Sequence, residues 1–371
     1  MSSISENEHK LRVGILFGGK SAEHEVSIQS AGNIFEAIDR DKFEPVLVGI
    51  DKQGGWSLPS SAAVGAIESS PVSQLRLSLG GHNKLIAAAD KVSFQTPDVI
   101  FPILHGPLGE DGAVQGLLEL ASIPYVGAGI LGSAVGMDKD VMKRLLHEAG
   151  IPIAKYVVLK DPDAFDPDMI ITTLGTPLFV KPANMGSSIG VSKVTNREEL
   201  MQAVALGFRY DRKVLVEEAI DGDEVECAII GNQHPEASVP GRIIVKADFY
   251  TYDAKYEEGE GTAIEIPARL PAALNLRIQE VALKTFKVLE CEGMARVDMF
   301  VTKQGEILVN EINTLPGFTK MSVYPQLWEA SGLSYTDLIT KLLELAIDRA
   351  VERKKLLTDR NAVGVGEDHK T

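Results

Sequence analysis

Cysteine and aromatic residues are scarce in this 371-residue chain, which has two cysteines, two tryptophans and 6% aromatic residues overall. Cys227 and Cys291 lie far apart, form no CxxC pair and sit among apolar residues. They read as reduced, buried thiols of a cytosolic protein. No stretch approaches the ~20 apolar residues that a membrane helix needs. The N-terminal MSSISENEHK lacks the apolar core and cleavage site of a secretory signal. Positive charge is also in deficit: 37 Lys and Arg against 52 Asp and Glu leave a net charge of −15 and a pI of about 5.0. That balance argues against a protein that grips nucleic acid or an acidic membrane surface. It leaves room for a locally basic phosphate pocket. A GxGxxG fingerprint is missing after the first apolar run, which disfavours a nicotinamide-dependent dehydrogenase. There is no internal repeat and no low-complexity tract.

What is present is ample material for a globular core, with 44% hydrophobic residues and a mean hydropathy of +0.03. This length predicts two or three domains. LRVGILFGG reads as a strand entering a glycine turn, and Ala31, Ile34, Phe35 and Ile38 follow at helical spacing. FEPVLVGID and DVIFPILHG read as the next strands, the latter leading into a helix through GAVQGLLELA. Strands separated by helices predict a parallel sheet covered by helices. Residues 58–95 are weakly patterned. Beyond the glycines of VGAGILGSA, a helix is expected over MDKDVMKRLLHEAG, with Gly150 as C-cap and Pro152 just past it. PLFVKP, GVSKV and VLVEEAI read as strands, as do VECAIIG, GMARVDMFV and EILVNEI. An amphipathic helix around YTDLITKLLELAIDRAV closes the pattern, and the polar tail after Leu357 is expected to fray.

GGKSAEHE, residues 18–25, follows a strand and opens a helix, where unsatisfied N–H groups suit carboxylates and phosphates. Ser21 is the expected N-cap, and Glu23-His24-Glu25 makes an acidic edge able to meet an amine. LHGPLGEDGAVQG sets His105 at the end of a strand, where ligands gather in open α/β sheets. A histidine that merely satisfies loop backbone fits equally well. In KPANMGSSIGV, Lys181 precedes Gly186-Ser187-Ser188, the reverse of a Walker A loop. The stretch reads either as a plain glycine hairpin or as a strand–loop–strand flap that holds an anion. KVLVEEAIDGDEVECAIIG joins two strands through an acidic connector. That connector is either a solvated turn or a purine site with Glu224 on the ribose.

ARVDMFVTKQGEILVNEINT is the most informative stretch. As a hairpin with Gln304-Gly305 at a two-residue tip, it sets Asp298 opposite Glu311 and Arg296 opposite Asn313, all on one face. Facing carboxylates repel unless a cation lies between them. Oxygen donors from Asp, Glu and Asn suit Mg²⁺; neutralisation by Arg296 alone is the competing arrangement. NTLPGFTKMSV follows at once, and the polar, tyrosine-rich DFYTYDAKYEEGEG has the character of a lid.

GGKSAEHEVS, LHGPLGEDG, MDKDVMKRLL, KPANMGSSIGVSKV, YDAKY, ARVDMF and VNEINTLPGFT, in that order, resemble the ATP-grasp superfamily and, within it, the D-alanine–D-alanine ligases. The match spans residues 11–350. Each motif is weak alone, and seven in order are specific. The resemblance implies an α/β (α+β multidomain) protein, a three-domain ATP-grasp with an N-terminal parallel-sheet domain of the biotin-carboxylase-N type. The expected divisions are 1–127, 128–217 with the flap, 218–350 with lid and metal site, and a tail at 351–371. The implied reaction is ATP-dependent joining of two D-alanines through D-alanyl phosphate for peptidoglycan precursor synthesis, in a cytoplasmic homodimer. ATP is then a substrate, with two Mg²⁺ ions that Mn²⁺ can replace.

By the same resemblance, Lys139 and Lys181 match lysines on the nucleotide phosphates, with Lys255 of the lid adding another contact. Glu217 and Ile220 match the adenine hinge, and Glu224 the ribose ligand. Asp298, Glu311 and Asn313 match the metal ligands. Glu25 matches the residue beside the first substrate's ammonium, linked to Ser187 and to Tyr256 of the lid. Arg296 and the Gly317 N–H match oxyanion donors. Ser322 and the Val323 N–H match the holders of the second carboxylate, with His105 in the same site. Lys20 and His24 depart from the first motif, and neither residues 58–95 nor the chain beyond 350 carries a matching one.

Other readings are a D-alanine–D-lactate ligase of the same fold, another ATP-grasp carboxylate–amine ligase, and a non-catalytic nucleotide-binding protein. Tyr256 favours an amine acceptor over a hydroxy acid. Retention of Asp298, Glu311 and Arg296 favours an active enzyme.

Overall fold

The computed structural model describes residues 10–59, 75–78, 84–87, 96–245 and 262–357. In chain order, β1 (Leu11–Gly18), α1 (His24–Ala37), β2 (Phe43–Ile50) and β3 (Trp56–Ser57) precede a hairpin of β4 (Leu75–Ser78) and β5 (Lys84–Ala87). With β6 (Val99–Ile103) they form a first sheet of order β3-β2-β1-β6. β1 runs parallel to both β2 and β6, with Val13 facing Pro45 on one side and Val99 on the other. The parallel pairing expected from strand–helix alternation is present. Val13, Ile15, Leu16 and Phe17 are all fully buried, as an unbroken apolar strand covered on both faces requires. Ala31, Ile34 and Ile38 point into that core. Ser21 is not the N-cap, because the helix begins at His24; Ser21 Oγ accepts the Glu23 N–H at 3.2 Å in the turn before it.

Helices α2 (Ala113–Leu120), α3 (Ile130–Met137) and α4 (Lys139–Glu148) lead to the second sheet. The Asp138 carboxylate caps α4 by accepting the Asp140 and Val141 N–H groups, each at 3.1 Å. Gly150 ends the helix with its N–H on the His147 carbonyl at 3.0 Å. The second sheet comprises β7 (Tyr156–Leu159), β8 (Leu178–Pro182), β9 (Ser192–Val194) and β10 (Val214–Glu218), antiparallel in the order β7-β10-β8-β9. Helices α5 (Pro167–Leu174) and α6 (Arg197–Gly207) complete its core.

The third sheet runs β14-β13-β11-β15-β16, with β12 beside β11. Its strands are β11 (Gly222–Gly231), β12 (Glu236–Ala237), β13 (Gly241–Val245), β14 (Thr262–Glu265), β15 (Gly293–Thr302) and β16 (Ile307–Asn313). Helix α7 (Ala272–Val288) packs on it, and α8 (Val323–Ala330) and α9 (Tyr335–Lys354) follow. The β15–β16 hairpin pairs Asp298 with Glu311 and Arg296 with Asn313, as its sequence predicts. Its tip is different. Thr302 pairs with Glu306 across a three-residue loop, Lys303-Gln304-Gly305, and Gly305 has the positive φ of 79° that such loops place on glycine. The resulting one-residue slip is cancelled by a bulge between Asp298 and Met299, where Asn310 is the extra residue.

The first core continues into the C-terminal helices. Phe318, fully buried, sits edge-on to Phe101 with ring centroids 5.4 Å apart. Its N–H donates to Ser30 Oγ at 3.1 Å, and its carbonyl accepts the Tyr335 hydroxyl at 2.6 Å. The segment between β16 and α8 is thereby pinned to the first sheet. Phe318→Ala is expected to lower stability by about 3–5 kcal/mol, as loss of a buried aromatic does, read from the urea unfolding midpoint.

Candidate active site

A cavity of about 620 Å³ opens where the first sheet, the glycine-rich flap and the third sheet meet. Glu23 and His105 line it from the first region, Gly186 and Ser187 from the flap, and Arg296, Glu311 and Asn313 from β15 and β16. Gly317, Ser322 and Val323 close the far side. Val323 opens α8, where the first N–H groups lack intrahelical partners. Ser322 Oγ is held by the Thr319 N–H at 2.9 Å. A Cβ on residue 317 would lie 2.8 Å from that hydroxyl, so a side chain there would have to push the Ser322 hydroxyl aside.

Across three neighbouring strands the register places Glu226, Asp298 and Glu311 side by side. Arg296, one row away, answers them. Its Nε and Nη2 donate to the two oxygens of Asp298, both at 2.7 Å, and Nε lies 3.1 Å from Glu226 Oε2. Burial opposes the guanidinium's charge, but Asp298, Glu226 and Glu311 together hold it well above its ordinary range. Lys139, the first residue of α4, lies 3.3 Å from Glu311 and donates to the Met185 carbonyl at 2.8 Å. It therefore ties the flap to the third sheet. Among the described residues no group of three Asp, Glu, His or Cys side chains is arranged to hold a metal ion; Arg296 engages both oxygens of Asp298. The Asn313 side-chain oxygen accepts the Leu315 N–H at 3.0 Å.

His105 is buried, with Nδ1 3.1 Å from the Leu315 carbonyl and 3.6 Å from Glu110 Oε1. Burial works against the imidazolium, yet Glu110 and Glu23 outweigh it and raise its pKa. Its Nε2 has no hydrogen-bond partner among the described residues.

The D-ala D-ala ligase N-terminus family model matches residues 12–128, and the D-ala D-ala ligase C-terminus model matches residues 145–344. The chain belongs to the D-alanine–D-alanine ligase family. It is 50% identical over 366 residues to a D-alanine–D-alanine ligase of Shouchella clausii, covering 95% of this chain and all of that one. Its fold superposes on the D-alanine–D-alanine ligase of Coxiella burnetii with a TM-score of 0.83 at 39% identity, over 93% and 96% of the two chains. The VanG D-Ala:D-Ser ligase of Enterococcus faecalis follows at 0.82 and 37%, over 91% and 100%. The three-sheet architecture is thus the ATP-grasp fold of this ligase family.

Within that family fold, one expected placement fails. Glu25 points away from the cavity; its side chain is 65% exposed and lies 2.7 Å from Lys52. The carboxylate that meets Ser187 Oγ is that of Glu23. The helix period explains the difference. Glu23 is in line with Ser27, Ser30 and Ile34 on the buried face of α1, and a residue two positions on is rotated by about 200°. Lys181 and Glu217 lie outside the cavity lining, at the junction of the second and third sheets, where they pair at 2.8 Å. Ile220, between β10 and β11, and Glu224, the third residue of β11, lie half-buried just beyond. Lys255 and Tyr256 fall outside the described residues.

Sequence reasoning passed over Glu226, Glu110 and Lys143. Lys143 had a signal, since it follows Lys139 by one turn on the face of α4 that buries Met142 and Leu146. Glu226 had none, because its neighbour Asp298 is 72 positions away. Arg296→Met, which removes the guanidinium from three carboxylates, is expected to lower stability by about 3–5 kcal/mol, measured by urea denaturation.

Proposed function

We propose that the chain joins two D-alanines into D-alanyl-D-alanine, with ATP as phosphoryl donor, as a step in making peptidoglycan precursors. The γ-phosphoryl group passes to a carboxylate oxygen of the first D-alanine, and ADP departs. The amine of the second D-alanine then attacks the acyl carbon. A C–N bond forms, the C–O bond to phosphate breaks, and the amine gives up a proton. The observation that carries this reading is the shared cavity. Glu23, able to hold an ammonium, faces the Arg296–Gly317–Ser322 wall, able to hold oxyanions and a carboxylate.

In this reading Glu23, braced by Ser187, replaces Glu25 beside the first ammonium. Arg296 and the Gly317 N–H meet the tetrahedral oxyanion, a kind of contact worth about 2.7–4 kcal/mol per donor. Ser322 and the Val323 N–H take the second carboxylate, with His105 beside it. Lys139 and Lys181 meet the phosphates, with Lys255 joining from the lid; Glu217 and Ile220 frame the adenine, and Glu224 the ribose. Tyr256 completes the link between lid and flap.

Asp298, Glu311 and Asn313 are assigned as Mg²⁺ ligands, with Mn²⁺ able to substitute. Their chemistry fits a hard cation, since carboxylates outnumber the cations facing them across this row. When bound, the metal neutralises phosphate oxygens. Divisions near residues 127 and 217 are supported by the separation of the three sheets. No helix among the described residues is long and apolar enough to cross a membrane. The resemblance supports a cytoplasmic homodimer, and light scattering that returned a monomer mass would remove the dimer.

The deciding assay measures ADP release with ATP, Mg²⁺ and D-alanine, against L-alanine and against D-alanine plus D-lactate or D-serine. D-alanine-dependent ADP and the dipeptide in mass spectra are expected; their absence would sink the reading. Glu23→Gln should lower turnover by about 10²-fold, on the scale of one lost transition-state contact. Glu25→Gln should leave it unchanged, and equal losses in both would restore Glu25 to the site.

A further inference from the structure

Lys143 is a buried ammonium to which the reaction above gives no role. Its side chain has no exposed surface, and it leaves α4 beside the fully buried Met142 and Leu146. Nζ lies 3.3 Å from Glu217 Oε1 and 5.7 Å from the centre of the Tyr156 ring. The other oxygen of Glu217 lies 2.8 Å from Lys181 Nζ. Lys181 also donates to Asn310 Oδ1 at 3.1 Å, so the β16 bulge fixes its tip from the third sheet. Two ammoniums therefore share one carboxylate.

We propose that Lys143 is a positioning residue for the nucleotide, which by sharing Glu217 leaves the charge of Lys181 available to a phosphate. The inference rests on the reading that Lys181 meets ATP. Without Lys143, Glu217 and Lys181 form a closed neutral pair, and the carboxylate competes with any incoming anion for the lysine. With it, the trio carries one surplus positive charge. Lys143 is walled in, whereas Lys181 keeps 10% of its side chain exposed. An anion can meet the surplus only at Lys181.

The groups that face Lys143 are Glu217 and Lys181 from the second sheet and Glu311 from the third, with the Tyr156 ring alongside. Lys139, one turn back on α4, is engaged by Glu311 and the Met185 carbonyl. Burial, reinforced by Lys181, pulls Lys143 down to about 8 against the attraction of Glu217 and Glu311. Glu217 is buried too, but Lys143 and Lys181 hold it below the usual carboxylate range. Lys143 is therefore charged below about pH 8 and neutral above it. Nucleotide affinity should fall as pH rises through that value.

The test is calorimetric binding of ADP between pH 7 and 9.5 to the wild-type chain, Lys143→Met and Lys143→Gln. Ionisation of the ligand is common to all three and drops out of the ratios. In the wild type, Kd should rise several-fold between pH 7 and 9.5, towards the roughly tenfold limit that a pKa shift of one unit on binding sets. Both variants should bind about tenfold more weakly at pH 7, with no inflection near pH 8, and in turnover the loss should fall on KM for ATP and not on kcat. A wild-type Kd without that inflection overturns the proposal, as does wild-type affinity in a folded variant at pH 7. Should neither variant fold, the wild-type titration alone decides. Failure of the wild type to bind ADP at any pH would instead remove the nucleotide reading on which this one stands.

Discussion

Three carboxylates side by side on adjacent strands set the terms for everything around them. Glu226, Asp298 and Glu311 occupy one line across β11, β15 and β16. Like charges placed directly opposite destabilise a sheet, and burial of Glu226 and Asp298 magnifies the effect. The fold answers with cations brought from different elements. Arg296 forks onto Asp298 and reaches Glu226, while Lys139 comes from α4 to Glu311. An apolar core in the same place would hold the sheet at least as well. Lys139, Glu226, Arg296 and Glu311 all line the cavity, where in the proposed reaction the two cations would meet anionic groups of the substrates.

The second and third sheets have separate apolar cores, and named ion pairs and hydrogen bonds cross between them. Lys143 and Lys181 meet at Glu217, Lys181 reaches Asn310, and Lys139 spans from the flap to Glu311. Such a junction can exchange partners when an anion arrives without dismantling either core. The first sheet joins differently, through the apolar contact of Phe318 with Phe101 and the Ser30 bond to its backbone. Phe318 is next in the chain to Gly317, so that contact anchors the stretch that lines the cavity wall with Gly317 and Ser322.

Much of this was legible in the linear pattern. Alternating strands and helices gave the parallel first sheet, and the hairpin's two-residue period gave the facing pairs Asp298/Glu311 and Arg296/Asn313. The hairpin tip was misread by one residue, and the bulge at Asn310 corrected the register before it reached the site. No local signal distinguishes those two compensating irregularities from a regular hairpin. Glu23 was legible as part of the acidic edge Glu23-His24-Glu25, and the spacing of Ser27, Ser30 and Ile34 puts Glu23, not Glu25, on the buried side of α1.

By itself the sequence determined the periodicities, the motif order and hence the family, because each of these depends on residues close together in the chain. Only the tertiary structure decided which charges meet. Glu226 beside Asp298, Ser187 on Glu23, and Glu217 between Lys143 and Lys181 all join residues at least 36 positions apart. Electrostatic partnership depends on distance through space, and in a buried site even an ångström matters more than a whole helix of intervening sequence.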